Sequence, residues 1–369
     1  MIALNSSVWH IKPKGENMEK NVKMLNDIMH PVSDQTGLTM DGYWVWDSSV
    51  IKGEDGRYHM FASRWPRSLP FHPGWMLESE VVRAVCDRPD GVFQFEEVVL
   101  PSRGAQYWDG RSTHNPHIIK YKDKYVLYYT GFTHPFPDVK EGEMITVDDP
   151  RVICSRASKR IGVAYSDSVY GPWIRMDEPV LDIRPDYFDS FLTSNAAPCI
   201  TEDGKILLMY KTRSYAKRPY PEYLHGQMLF GVAMADSPFE KHKAILEKPL
   251  FFDNDNDEGF ELEDPFIWRD ADGYHMMAKD MNGKVCGEEH SGVYAESKNG
   301  IDWEFKKDFV YYSRKLKFED GTVRTLGNME RPFLLFEDGK PICAYFAVSD
   351  GTWSYLNCTR TWSMPILLK

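Results

Sequence analysis

Residues 263–277 read EDPFIWRDADGYHMM, and residues 330–345 read ERPFLLFEDGKPICAY. Each opens on an acidic residue, places a proline two positions later, and runs through apolar residues to an Asp-Gly pair before the apolar residues resume. Two apolar runs joined by Asp-Gly read as a β-hairpin, because that pair supplies the positive φ a tight turn requires. The same hairpin of apolar runs about a polar turn recurs in WDSSVIKGEDGRYHMF (46–61), HNPHIIKYKDKYVLYY (114–129) and AAPCITEDGKILLMY (196–210), the second turning on Lys-Asp-Lys instead of Asp-Gly. Aligned on Ser49, Pro116, Pro198, Pro265 and Pro332, the five copies are separated by 67, 82, 67 and 67 residues. The longer step has a loop-like excess in THPFPDVKEGEMITVDDPR (133–151).

A second signature follows four of the hairpins: RAVCDRPDGVFQFEE (83–97), IGVAYSDSVYGPWIRM (161–176), GVAMADSPFEKHK (231–243) and GVYAESKNGIDWEFKK (292–307). In each, a strand of small residues reaches a turn and an aromatic opens another strand. Each unit therefore supplies about four strands, and a fixed repeat of this kind is the mark of radial architecture. The expected fold is all-β: a five-bladed β-propeller of four-stranded antiparallel blades starting near residues 44, 111, 193, 260 and 327. It forms one domain over 1–369. The fifth unit ends short, in WSYLNCTRTWSM (353–364), so the N-terminal segment around SSVWHIK (6–12) is expected to complete its sheet and close the ring. A short helix is expected within 15–30, in the N-terminal segment 1–40.

Composition bounds the function. The net charge is −11 with no basic block, which argues against nucleic acid, whose phosphates need clustered Lys and Arg. The apolar runs are too short to span a bilayer. Six cysteines lie scattered without CxxC spacing, which reads as buried free thiols and gives neither a zinc nor a redox motif. The first residues lack a signal-peptide pattern, so a cytoplasmic protein is expected; a periplasmic or secreted protein whose leader was removed reads the same way. FFDNDNDEGFELED (251–264) alternates Asp and Asn but lacks the full twelve-residue calcium pattern, and is expected to be a solvated acidic loop. No cofactor is required, although a structural cation in the channel, held partly by His114, is compatible with the fold.

The innermost strand of each blade lines the channel, so the pair of residues at the start of each repeat faces the axis. These pairs are Asp47-Ser48, His114-Asn115, Ala196-Ala197, Glu263-Asp264 and Glu330-Arg331. Carboxylates occupy three of the five. EDPF and ERPF resemble the Asp-Pro and Glu-x-Pro motifs of the five-bladed propeller glycoside hydrolases of families 43, 32 and 117, a resemblance that runs from about residue 40 to the end. The resemblance implies that Glu330 is the general acid, and that Asp264 orients the substrate and sustains the acid's pKa. Glycosidic cleavage needs one carboxyl to protonate the leaving oxygen and a second group to direct water or attack the anomeric carbon. For the base, Asp47 is the first choice, with Asp109 in YWDGRSTHNP and His114 as competitors and Asp189 in YFDSFLTSNAAP as an outsider.

The second strand of each hairpin returns to the edge where the first began. It should therefore bring Arg64 and Trp65, Lys211 and Arg213, and Lys279 to the pocket mouth, with Arg111, Asn115, Glu263 and Arg331 beside them as substrate-binding candidates. Several cations around a carboxylate cluster either balance charge or recognise an acidic sugar such as a uronate. The expected function is an inverting glycoside hydrolase acting on terminal sugars. A glycoside phosphorylase or lyase, or a carbohydrate-binding propeller without activity, is the alternative.

Overall fold

A computed structural model describes residues 22–215, 225–251, 259–352 and 357–369. Five antiparallel sheets surround one axis. Blade one holds β1 (Tyr43–Lys52), β2 (Tyr58–Pro66), β3 (Glu80–Cys86) and β4 (Gln94–Leu100). Blade two holds β5 (Ser112–Tyr121), β6 (Lys124–Phe132), β7 (Arg160–Ser166) and β8 (Ile174–Arg175). Blade three holds β9 (Leu192–Ile200), β10 (Ile206–Arg213), β11 (Leu229–Ala235) and β12 (Lys243–Ala244). Blade four holds β13 (Leu262–Asp270), β14 (Gly273–Asp280), β15 (Ser291–Ser297) and β16 (Trp303–Phe305). A small hairpin, β17 (Lys315–Lys317) and β18 (Val323–Thr325), precedes blade five, which holds β19 (Asn328–Glu337), β20 (Lys340–Ser349) and β21 (Thr361–Leu367).

The first strand of each blade is innermost and touches its counterparts in the two neighbouring blades, so the ring is closed. Blade five has three strands of its own. The N-terminal segment binds their outer edge: His30 N donates to Leu367 O at 2.9 Å, and Leu38 pairs with Ser363. Gly37 also exchanges backbone hydrogen bonds with the β3–β4 connection of blade one, its N–H donating to Gly91 O and its carbonyl accepting from Phe93 N. Residues 28–38 thus join the last blade to the first; SSVWHIK (6–12) lies outside the described residues. Of the expected N-terminal helix, the described part is a single turn, α1 (Leu25–Ile28).

Apolar layers between blades supply the core, as face-to-face sheet packing requires. One layer joins blades one and five, with Met60, Val82, Met329 and Met364 fully buried. Others join blades one to two, two to three and three to four. All six cysteines are free; Cys199, Cys286 and Cys343 are buried and the other three half-buried. Among the described residues no helix is long and apolar enough to cross a membrane.

Two insertions depart from the repeat, both at the same end of the ring. The first, between β2 and β3, forms α2 (Phe71–Glu78). The second, between β6 and β7, carries the excess residues seen in the sequence and ends in α3 (Pro150–Ala157). That helix starts where Asp149 caps the N–H of Arg151 and Pro150 takes the first helical position. The two helices pack on each other, with Phe71, Met76, Leu77 and Val152 buried against Trp46, Trp65 and Phe132.

Burial holds His72, His225, His242 and His290 at about 4, so the fold keeps them neutral. The unfolded chain protonates them near 6.5, and between these values it binds more protons than the fold. Unfolding free energy should therefore fall as pH drops from about 6.5 to about 4. Calorimetric melts across this range should show Tm decreasing, with a shallower slope in a His242→Gln variant.

Candidate active site

Each innermost strand carries a β-bulge near its start, between Trp46 and Ser49, His114 and His117, Ser194 and Ala197, Glu263 and Phe266, and Glu330 and Phe333. In every bulge one residue adopts the left-handed conformation: Asp47 (φ 53), Asn115 (φ 53), Asn195 (φ 50), Asp264 (φ 57) and Arg331 (φ 53). Asn and Asp tolerate this region better than other side chains, which accounts for four of the five. These five residues, not the residues at the aligned anchors, mark equivalent places. Ser49 is displaced by one position, and Pro198 by two. The third blade therefore contributes Ser194-Asn195 rather than Ala196-Ala197, and no blade leaves its slot empty of polar residues.

The five side chains link into one network. Asn115 Nδ2 donates to Asp47 Oδ2 at 2.9 Å, and Asn195 Nδ2 donates to Asp264 Oδ1 at 2.5 Å. Arg331 lies between the aspartates, with Nε 3.1 Å from Asp47 Oδ1 and Nη1 3.5 Å from Asp264 Oδ1. Its backbone N–H donates to Asp264 Oδ2 at 3.1 Å. Two residues further along each strand lies a second tier: Ser49, His117, Ala197, Phe266 and Phe333. Here the His117 ring stacks on Phe266 at 5.7 Å and meets Phe333 edge-on at 5.3 Å, filling the axis below the network.

Above the network opens a cavity of about 320 Å³. Asp47, His114, Asn115, Asn195, Glu263, Asp264, Glu330 and Arg331 line its base. The second strands contribute Trp65, Lys211, Arg213 and Lys279, and the insertions contribute Phe71, His72, Trp75, Arg156 and Lys159. Lys279 pairs with Glu330, and Lys211 with Glu263. Asn328 Nδ2 donates to the same Glu330 Oε1 at 2.6 Å. Among the described residues, none donates a hydrogen bond to Glu330 Oε2.

Electrostatics separate the carboxyls. Burial pushes Asp47 up, but the adjoining His114 and then Arg331 outweigh it and hold its carboxyl below the usual range. Burial also pushes Glu263 up, and Lys211 and Lys279 outweigh it, leaving it lowered. Asp264 goes the other way: burial and then the charge of Glu263 raise it to about 7. Folding therefore holds a proton on Asp264 that the unfolded chain releases, a trend with pH opposite in sign to that of the histidines.

His114 is constrained on both nitrogens. Its Nε2 lies 2.8 Å from Asp47 Oδ2, and its Nδ1 lies 2.8 Å from Ser79 Oγ. Ser79 Oγ donates to Thr113 O at 2.9 Å, so Nδ1 carries the hydrogen that Ser79 accepts. Nε2 and Asp47 then share one further proton. Burial nevertheless lowers His114, against the pull of Asp47. With both nitrogens engaged, the ring has no lone pair for a channel cation, and among the described residues no group of three or more His, Cys, Asp or Glu is placed to hold a metal.

Four sequence candidates lie elsewhere. Arg64 alternates with Trp65 along β2 and so faces away from the cavity, pairing with Glu80 and resting on Tyr43 and Phe95. Arg111 turns outward to Asp138 and Phe136 O. Asp109 is buried outside the cavity, accepting from Arg103 Nε at 2.6 Å and Tyr129 OH at 2.8 Å. Asp189 repeats this corner with Arg184 and with Tyr210 OH at 2.7 Å. These two aspartates brace the entry to their blades. The acidic loop reading at 251–264 falls largely on 252–258, outside the described residues. Sequence reasoning missed Trp46, Phe71, His72, Trp75, Arg156, Lys159, Asn195 and His290. The excess length at 133–151 was the one available signal for Arg156 and Lys159.

No family model matches this chain. No curated protein matches it. Solved structures do. A family 117 glycoside hydrolase from the marine bacterium Zobellia galactanivorans superposes over 93% of this chain and 90% of its own, with TM-score 0.61 and 16% identity. A thermostable family-43 glycoside hydrolase does so over 91% and 92%, with TM-score 0.59 and 14% identity. An endo-arabinase from Bacteroides thetaiotaomicron covers 93% of this chain and 98% of its own, with TM-score 0.53 and 12% identity. The chain thus has the five-bladed β-propeller fold of glycoside hydrolases.

Removing Arg331 would leave two buried aspartates facing each other without their shared cation. Arg331→Met should lower unfolding free energy by about 3–5 kcal/mol, measured by urea denaturation at pH 7.

Proposed function

We propose that the protein is a glycoside hydrolase that removes terminal sugars with inversion, using Glu330 as general acid, Asp47 as base and Asp264 as the group that sustains the acid's proton. One observation carries the reading. Carboxyls on the same cavity are driven in opposite directions, Asp47 kept ionised and Asp264 raised to about 7. Such divergence is how a site assigns acid and base roles at a single pH.

Asp264 is raised to about 7 by burial and then by the charge of Glu263. Both oxygens of Asp264 accept from protein nitrogens. Among the described residues none donates to Glu330 Oε2, so Glu330 is the carboxyl suited to deliver a proton to a leaving group. Asp47, ionised between His114, Asn115 and Arg331, is suited to draw a proton from water, with His114 positioning it. A small cavity plugged at depth favours the end of a sugar chain over its middle, and is at the lower bound of ligand-site volumes. The neighbouring glycoside hydrolases support the reading at the level of fold.

The test is a screen of aryl glycosides and plant or algal oligosaccharides beside a Glu330→Gln variant. For a substrate with a poor leaving group, the variant should lose on the order of 10²–10⁴ in kcat. NMR of the first-formed product should show an inverted anomer. A variant that keeps full rate, with an unchanged melting temperature, would sink the assignment of the acid. Turnover that depends on inorganic phosphate would identify a phosphorylase instead.

A further inference from the structure

Among the described residues, seven lysines and arginines are buried: Arg64, Arg83, Arg151, Lys159, Lys211, Lys279 and Arg331. Six of them pair with carboxylates: Glu80, Glu97, Glu143 with Asp149, Glu263, Glu330, and Asp47 with Asp264. Lys159 alone does not. Its Nζ lies 4.0 Å from the Trp75 ring centre and 5.6 Å from that of Phe132, and it makes no hydrogen bond or ion pair with any described residue. Its backbone is well anchored, since its carbonyl accepts from Arg160 Nη1 at 2.7 Å and from Thr193 N at 3.3 Å. The side chain lines the cavity.

A buried ammonium without an anion is costly, and ring faces replace only part of its hydration. Burial and then the charges of Lys211 and Arg156 hold Lys159 well below the usual lysine range. Arg213, on the same wall, spends Nη1 on His225 Nδ1 and Gly226 O and has no carboxylate partner among the described residues. Lys211 stands beside it, already paired with Glu263. Among the described residues, no carboxylate pairs with Lys159 or Arg213 on this wall of the cavity. The insertion that breaks the repeat is what brings Lys159 there.

We propose that this wall receives an anionic substituent on the bound sugar, a uronate carboxylate or a sulfate ester, with Lys159 as its counter-ion and Arg213 alongside. This rests on the sugar-site reading of the cavity given above and specifies the class of sugar. The occupant is a substituent and not a free anion, because the same cavity holds four carboxyls that repel a small anion unless the rest of the ligand engages them.

Calorimetric titration of the full chain tests it, with glucuronic acid, galacturonic acid and galactose 6-sulfate against glucose and galactose, and with inorganic phosphate and sulfate as controls. At low salt the anionic sugars should bind about 10–100-fold tighter than the neutral ones, the range of a charged hydrogen bond. The preferred arm identifies carboxylate or sulfate. In Lys159→Met the ratio should fall toward one, and in Lys159→Arg part of it should survive. Lys159→Met without ligand should melt no lower than the native chain, because it removes a buried amine that has no hydrogen-bond or carboxylate partner among the described residues. A ratio of one in the native chain, a ratio unchanged by Lys159→Met, a less stable Lys159→Met, or inorganic anions that bind as tightly as the sugars would each overturn the proposal. Binding is read without turnover. A protein that binds uronates and cleaves no glycoside fails the hydrolase reading alone, whereas one that cleaves neutral glycosides and ignores anionic sugars fails this one alone.

Discussion

Five residues held near φ +50° at the start of the innermost strands are the constraint on which the site depends. Each bulge bends its strand where it reaches the axis and turns one polar side chain toward the others. The conformation costs on the order of 1–2 kcal/mol for a side chain without special tolerance. Asn and Asp meet it most easily, and they are also the side chains short enough to bond one another across the axis. Arg331 is the exception. It is held there by its N–H bond to Asp264 and by lying between two aspartates. A lysine or glutamine would lack the guanidinium fork that reaches both.

Charge on the cavity is arranged in tiers. Deepest, the His117 ring packs against Phe266 and Phe333 on the axis. Above it, Arg331 separates two aspartates whose environments diverge. Beside them at the base of the cavity, Lys279 and Lys211 take up Glu330 and Glu263, and Arg156, Lys159 and Arg213 line the walls. The low dielectric of a plugged channel makes every one of these pairings stronger than it would be at a surface. It also raises the cost of burying a cation such as Lys159, which pairs with no carboxylate among the described residues.

The five hairpins, their order and the closed ring were legible in the chain, because strand alternation and Asp-Gly turns are local signals repeated at nearly constant spacing. The carboxylates at 47, 264 and 330 were legible for the same reason: equivalent positions in a ring must converge. The register was less secure. In blade three the proline that served as anchor sits two residues from its counterpart, so Asn195 was overlooked in favour of two alanines. Arg64 and Arg111 were placed at the mouth from their nearness to the strand ends, but strand alternation sends Arg64 away and Asp138 draws Arg111 outward.

Sequence periodicity thus dictated a propeller and the convergence of its acids, since both follow from repetition along the chain. Which carboxyl holds the proton, how His114 is committed to Asp47 and Ser79, and where Trp75 and Lys159 come to rest depended on three-dimensional packing. Those outcomes arise from burial and from contacts between residues far apart in the chain, and no repeat encodes them. Asp47 and Asp264 are both aspartates in matching bulges; their surroundings alone hold one carboxyl below the usual range and raise the other to about 7.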